Sequence, residues 1–254
     1  MDRPLSAPPV AGAWIRRFHP APDAPVRLVC FPHAGGSASY YFSTSRALSP
    51  DVEVLAVQYP GRQDRRTEAC VDDVHRLADL ATEELGAWTD RPLLLFGHSL
   101  GASLAFEVGR RLEGSGVRLL GLFASGRRAP SRWRDEHVHL LDDDQLAANL
   151  ARMSGTDSTV LGDPEMLRAV LPAVRADYRA AETYRGRPGD RLVCPVRALT
   201  GDEDPEVTLD EARAWAGHTT GGFDLEVFAG GHFYLNDHAP AVLASIRRHL
   251  ARPT

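Results

Sequence analysis

An α/β fold built on a mostly parallel sheet is what this sequence predicts, from two observations. Short, near-continuous apolar runs alternate with stretches of helical period, and the runs have the β-rich character of strands buried on both faces. Residues 26–31, 52–59, 93–96, 119–125, 192–200 and 225–229 read as those strands. Between them, residues 71–88 place Val71, Val74, Leu77, Ala78, Ala81 and Leu85 on one helical face, and 100–112 and 239–250 repeat the period. Such helices cover the two faces of a parallel sheet, whose right-handed crossovers demand cover on both sides.

The rhythm breaks once. From residue 127 to 191 no strand pattern occurs, while 142–153 and 164–184 have helical period. This stretch is expected to be an inserted helical lid within a single domain spanning residues 1–254. Residues 1–12, rich in Pro and Ala, are expected to form a flexible tail.

Composition narrows the function. Of the 254 residues 43% are hydrophobic and 25% charged, with a formal net charge of −5. That is ordinary globular usage without the basic excess that phosphate neutralisation needs, so nucleic acid is not the expected partner. No apolar run reaches membrane length, and the start of the chain has no apolar export segment. Cys30, Cys70 and Cys194 are odd in number and widely spread, without metal-ligand spacing. A reduced, cytoplasmic monomer with no metal is the expectation, with Cys30 and Cys194 as core residues.

The chemistry begins at Pro92-Leu-Leu-Leu-Phe-Gly-His-Ser-Leu-Gly101, an apolar strand running into Gly-x-Ser-x-Gly and then at once into a helix. The five-residue pattern alone is weak, and an ordinary turn with a capping serine could produce it. The strand before and the helix after make it a nucleophile elbow, in which Gly97 and Gly101 leave room for a tight turn that lifts the Ser99 hydroxyl above the sheet. The fold class thereby becomes the α/β-hydrolase fold.

A serine hydroxyl needs a base, and in this fold the acid and then the histidine follow it in the chain. His232 is the candidate base, because it follows a late strand in Phe228-Ala-Gly-Gly-His-Phe-Tyr-Leu-Asn236. His98 adjoins the nucleophile in so sharp a turn that its side chain should point elsewhere. His218, His238 and His249 read as surface or packing residues.

For the acid, the strand ending at Thr200 runs into Gly201-Asp-Glu-Asp-Pro205. Asp204 is favoured, since the preceding residues form the turn and Pro205 fixes the backbone beyond it. Asp202 is the alternative. The rival position after residue 125 reads Gly126-Arg-Arg-Ala-Pro130 and offers no carboxylate.

Two backbone N–H groups should meet the developing oxyanion. Leu100 follows the nucleophile and supplies one, and the loop Phe31-Pro-His-Ala-Gly-Gly-Ser37 supplies the other, most plausibly from Ala34. A glycine-rich loop can also cradle phosphate, but no Lys follows in a P-loop pattern.

These motifs, with Trp14-Ile-Arg-Arg-Phe18, Gln58-Tyr-Pro-Gly-Arg62, Ser125-Gly-Arg-Arg-Ala-Pro130 and Gly230-Gly-His-Phe-Tyr-Leu235, resemble the stand-alone type II thioesterases of polyketide synthase and nonribosomal peptide synthetase pathways. The resemblance runs nearly end to end. It implies Ser99, Asp204 and His232 as the triad, Ala34 and Leu100 as oxyanion donors, and a mobile helical lid over 127–191. It also implies editing: removal of aberrant or stalled acyl groups from the phosphopantetheine arm of acyl or peptidyl carrier proteins, with no cofactor of the enzyme's own. Carriers of this kind are commonly acidic, so Arg62, Arg65, Arg66, Arg127 and Arg128 are candidate docking residues. A carboxylesterase or lipase would share the triad, an acyltransferase would share the acyl-enzyme, and a non-catalytic binding protein would share the fold alone.

Overall fold

A computed structural model of the chain describes residues 12–153 and 163–251. Seven strands form one sheet: β1 (Ile15–Arg16), β2 (Val26–Phe31), β3 (Val52–Val57), β4 (Leu93–His98), β5 (Leu119–Ser125), β6 (Val196–Gly201) and β7 (Phe223–Phe228), in the order β1-β3-β2-β4-β5-β6-β7. Every pairing is parallel except that of β1 with β3. The chain runs outward from β2 to β3 and then returns to β4. The crevice outside the carboxyl ends of β2 and β4 is therefore a topological switch point, where open α/β sheets bind their ligands.

Alternation along the strands divides the core between the faces. Val29 and Phe31 of β2 pack with Leu95, Phe106 and Trp88 on one side, and Leu28 and Cys30 with Phe96, Phe123 and Ile246 on the other. On the first face lie the helices Val74–Leu85 and Leu100–Gly114, and on the second Phe42–Leu48 and Ala239–Leu250. Helix Val74–Leu85 starts at Asp73, whose side chain accepts the Arg76 N–H at 2.7 Å. It buries Leu77 and Leu85, each of which stabilises the fold by about 1.5–3 kcal/mol relative to exposure.

The observed elements differ from the predicted ones where local pattern is thin. The strand expected from residue 192 starts at Val196, because Pro195 has no N–H for the ladder, and Leu192 makes an isolated bridge to Thr219. The strand expected over 52–59 ends at Val57, and Gln58 and Tyr59 turn their side chains to the neighbouring loop. The strand β1 and the short helices Phe42–Leu48, Leu209–Arg213 and Tyr234–Asp237 had no counterpart in the predicted elements.

The stretch 127–191 holds helices Asp143–Met153 and Pro164–Thr183 and no strand among the described residues. Leu146, Leu150, Leu171 and Val174 join the two helices in a small core of their own. The expected tail over 1–12 lies, Gly12 apart, outside the described residues.

Candidate active site

The sheet register gathers the site. Phe31 pairs with Gly97, His98 with Ser125, Ser125 with Leu199, and Gly201 with Phe228, so the loops leaving β2, β4, β6 and β7 emerge along one edge. Ser99 sits between β4 and the helix Leu100–Gly114 with φ +54° and ψ −120°, a conformation that a non-glycine residue rarely adopts. Its N–H donates to the Ser125 carbonyl at 2.8 Å, which ties the turn to the sheet. A Cβ added at Gly97 would lie 2.1 Å from the Gly101 carbonyl oxygen, and one at Gly101 would lie 2.1 Å from that of Phe31. The two glycines therefore have the steric role expected of them.

His232 and Asp204 meet across the edge, with His232 Nδ1 2.9 Å from Asp204 Oδ2 and 3.0 Å from Oδ1. Both side chains are buried. The carboxylate accepts the Nδ1 proton and so leaves Nε2 as the basic nitrogen. Asp204 Oδ1 also accepts the Glu206 N–H at 2.8 Å, which holds the carboxylate in place. Asp202, the alternative acid, is exposed and spends its Oδ1 on the Gly230 N–H at 2.8 Å, bracing the loop that carries the histidine.

Ser99 and His232 line one cavity of about 260 Å³, together with Ala34 and residues of helices Asp143–Met153 and Pro164–Thr183, which form the cap, Leu150, Tyr178 and Ala181 among them. Arg134, Arg152, Glu136, Glu182 and Glu206 give its wall charge of both signs. Leu100 is the first residue of the helix after Ser99, where N–H groups have no intrahelical acceptor. Leu100 packs with Ala180, Ala181 and Tyr184 at the end of the second cap helix, and Ala34 packs against the same cluster. A larger cleft of about 770 Å³ lies at the opposite edge, where Leu119, Pro195 and Phe223 start or precede strands.

His98 turns its Nδ1 to Ser125 Oγ at 2.9 Å, and Ser125 Oγ in turn meets Tyr234 Oη at 2.6 Å. Burial, then the neighbouring His232 and His33, holds the His98 imidazole well below its usual range, so this second histidine is neutral. His218 is buried, with Nδ1 on the Asp190 carbonyl at 2.9 Å. Cys30 and Cys194 are buried and free.

The arginines require a correction. Arg62, Arg65 and Arg128 are buried and Arg127 is half-buried, so of the five candidates for docking only Arg66 is exposed. Arg65 binds Glu68, Arg128 binds Glu136, and Arg127 donates to the Ala181 carbonyl at 2.6 Å. Arg62 forms a two-pronged pair with Asp177 of the cap. Sequence reasoning missed Asp177, Ser125 and Tyr234 as neighbours of the site. The Tyr59-Pro-Gly-Arg62 motif was the available signal for the first.

A hydrolase-type sheet with a serine on a strained strand–helix turn and a buried His–Asp pair opposite defines the class as α/β hydrolases. Within that class, residues 26–250 match the thioesterase domain family. The chain belongs to that family and is a thioester hydrolase. It is 56% identical over 253 residues to "Thioesterase PikA5" of Streptomyces venezuelae, covering 98% of this chain and 89% of that protein. The solved type II thioesterase BorB from the borrelidin biosynthetic cluster superposes with a TM-score of 0.90 at 53% identity, over 95% of this chain and 99% of that one. YbtT, a type II thioesterase from the yersiniabactin pathway, gives 0.84 at 32% identity, over 93% of this chain and 98% of that one. Among the described residues, no helix is long and apolar enough to cross a membrane.

Proposed function

We propose that this thioesterase removes acyl groups from the phosphopantetheine arms of acyl or peptidyl carrier proteins in polyketide or nonribosomal peptide biosynthesis, clearing aberrant or stalled chains. The observation that carries the reading is the shared cavity of Ser99 and His232, with Asp204 on the far side of the imidazole, in a chain whose relatives are named as type II thioesterases of such pathways.

In the proposed reaction His232 Nε2 takes the Ser99 proton while Ser99 Oγ bonds to the thioester carbon. The N–H groups of Ala34 and Leu100 hold the oxyanion, and collapse breaks the C–S bond. The thiolate leaves with the proton from His232 Nε2. Water, deprotonated by the same nitrogen, then attacks the acyl-enzyme and releases a carboxylic acid and the Ser99 hydroxyl. Asp204 stabilises the imidazolium through both steps. No metal or redox cofactor has a part in this sequence.

The deciding experiment is hydrolysis of an acyl group loaded on a phosphopantetheinylated carrier, by wild type and Ser99→Ala, with the matching oxyester alongside. Ser99-dependent release from the carrier with weak oxyester cleavage supports the reading. Fast oxyester cleavage with an untouched carrier would make the protein an esterase.

A further inference from the structure

We propose that the buried Arg62–Asp177 pair is a positioning device for the oxyanion loop, locking the turn at Ala34 to the cap helix Pro164–Thr183. It rests on the reading that assigns the Ala34 N–H to the oxyanion.

The turn is closed by the Gly36 N–H donating to the His33 carbonyl at 2.9 Å, with Ala34 and Gly35 between them. Gly35 has φ +74°, which makes this a type II arrangement, in which the third residue needs a positive φ. Types I and II differ by a flip of the central peptide, here Ala34–Gly35. Asp177 decides between them, since its Oδ2 accepts the Gly35 N–H at 2.8 Å. In the flipped turn the Ala34 carbonyl would face that carboxylate instead, and the ψ of Ala34 and the φ of Gly35 would change with it.

Asp177 is itself fixed by Arg62, whose Nη1 donates to Oδ2 at 2.6 Å and Nη2 to Oδ1 at 2.9 Å. Asp177 is 0% and Arg62 8% exposed, so solvent does little to loosen the pair. Arg62 also grips the loop directly, donating from Nη1 to the Gly36 carbonyl at 3.2 Å. The rest of its motif works on the same loop. Tyr59 Oη donates to the Pro32 carbonyl at 2.9 Å, its ring lies under the guanidinium at 5.1 Å, and Gln58 Oε1 accepts the Ala38 N–H at 2.7 Å.

The cap presses from above, since a Cβ at Gly35 would lie 2.9 Å from Val174 Cγ2, one turn before Asp177. Ala180 and Ala181, further along the same helix, pack on Leu100 beside the other donor. The second half of the cap helix thus belongs to the oxyanion apparatus.

The test uses Asp177→Asn, Arg62→Lys and the double variant Arg62→Met/Asp177→Leu, which removes both charges and can keep the fold where a single loss cannot. Turnover of p-nitrophenyl propionate is measured per active site, titrated with a fluorophosphonate, together with affinity for propylboronic acid and hydrogen exchange of the amides of residues 33–37. The expected result is a fall in kcat of about 10- to 100-fold with KM little changed, a parallel loss of boronate affinity, and faster exchange at Gly35 and Gly36. Unchanged kcat per titrated site and unchanged boronate affinity, even with a lowered Tm, would overturn the proposal and leave the pair a structural brace. Should wild type show no Ser99-dependent hydrolysis of this ester or of a carrier thioester, the assigned function fails. Exchange then decides the clamp by itself: acceleration at Gly35 in Arg62→Met/Asp177→Leu, which removes the acceptor, upholds it and an unchanged rate overturns it.

Discussion

His98 and His232 lie side by side, ring centroids 4.9 Å apart at 40°, and differ in what meets Nδ1: a carboxylate for His232, the Ser125 hydroxyl for His98. Two imidazoles at this distance cannot both carry charge at low cost in a buried site. The partners separate their roles: the Asp204 carboxylate accepts the His232 Nδ1 proton, whereas burial and the neighbouring histidines disfavour a cation on His98.

The neutral state of His98 makes stability depend on acid. Its folded pKa lies well below the ordinary histidine value of about 6.5, mainly through burial, and His218 is lowered for the same first reason. Above pH 6.5 neither the folded nor the unfolded chain binds these protons, so stability is at its full value. Below it the unfolded chain binds protons that the folded one refuses, and stability falls with pH by up to about 1.4 kcal/mol per unit for each histidine, until the folded pKa is reached. Urea unfolding at pH 7.5, 6.5 and 5.5 should show this loss, with a shallower slope for His98→Asn. The same slope in both proteins would sink the assignment.

The elbow glycines predict a contrast within one helix. Gly101→Ala drives a Cβ into the Phe31 carbonyl, so the variant should lose several degrees of Tm or fail to accumulate. At Gly114, in the last turn, a Cβ meets nothing within 4 Å, and Gly114→Ala should stabilise by about 0.5–1 kcal/mol through the unfolded chain. Equal Tm values for the two variants would contradict the steric account.

The readable part of this site is the part whose chemistry is local. Strand, Gly97, Ser99, Gly101 and helix are consecutive, so one tight turn explains them all. Asp204 was reachable because a strand ends a few residues before it and a proline follows. Arg62 and Asp177 are separated by 115 positions, and although the Tyr59-Pro-Gly-Arg62 motif marks its own segment, nothing in the sequence says that position 177 is its partner. An arginine is more often exposed than buried, so Arg62, Arg65 and Arg128 read as surface until the fold supplied their partners. The edge strand β1 escaped for a different reason: two residues have no period, and pairing to β3 alone defines them. The helix Phe42–Leu48 is rich in Ser and Thr and has too few apolar residues to display a face.

With most of the sequence-nominated arginines committed inside, the carrier docking that the proposed function calls for would fall to exposed charge near the cavity. Trp133 is 53% exposed with the Arg185 guanidinium 4.2 Å from its ring, and Arg132 is exposed beside it. Their neighbour Arg134 lines the cavity that holds Ser99. Arg132→Glu/Arg185→Glu should raise KM for an acylated carrier several-fold and flatten its salt dependence, while leaving kcat on a small p-nitrophenyl ester unchanged. Unaltered carrier kinetics at low salt would remove this face from the docking model.

Asp202 and Asp204 offer the sharpest comparison, being two residues apart on one turn and given different work. Asp204 is buried against His232 Nδ1, and replacing it with Asn puts an amide where a carboxylate selected the tautomer. Asp204→Asn should therefore cut kcat by about 10³- to 10⁴-fold with the fold intact. Asp202 faces solvent and uses one oxygen on the Gly230 N–H, a contact that Asn reproduces with its own Oδ1. Asp202→Asn should keep near wild-type turnover, whereas Asp202→Ala, which frees Gly230, should lower Tm and loosen the His232 loop. Circular dichroism and single-turnover hydrolysis on the three variants separate the roles: full activity in Asp204→Asn beside a dead Asp202→Asn would move the catalytic acid to position 202.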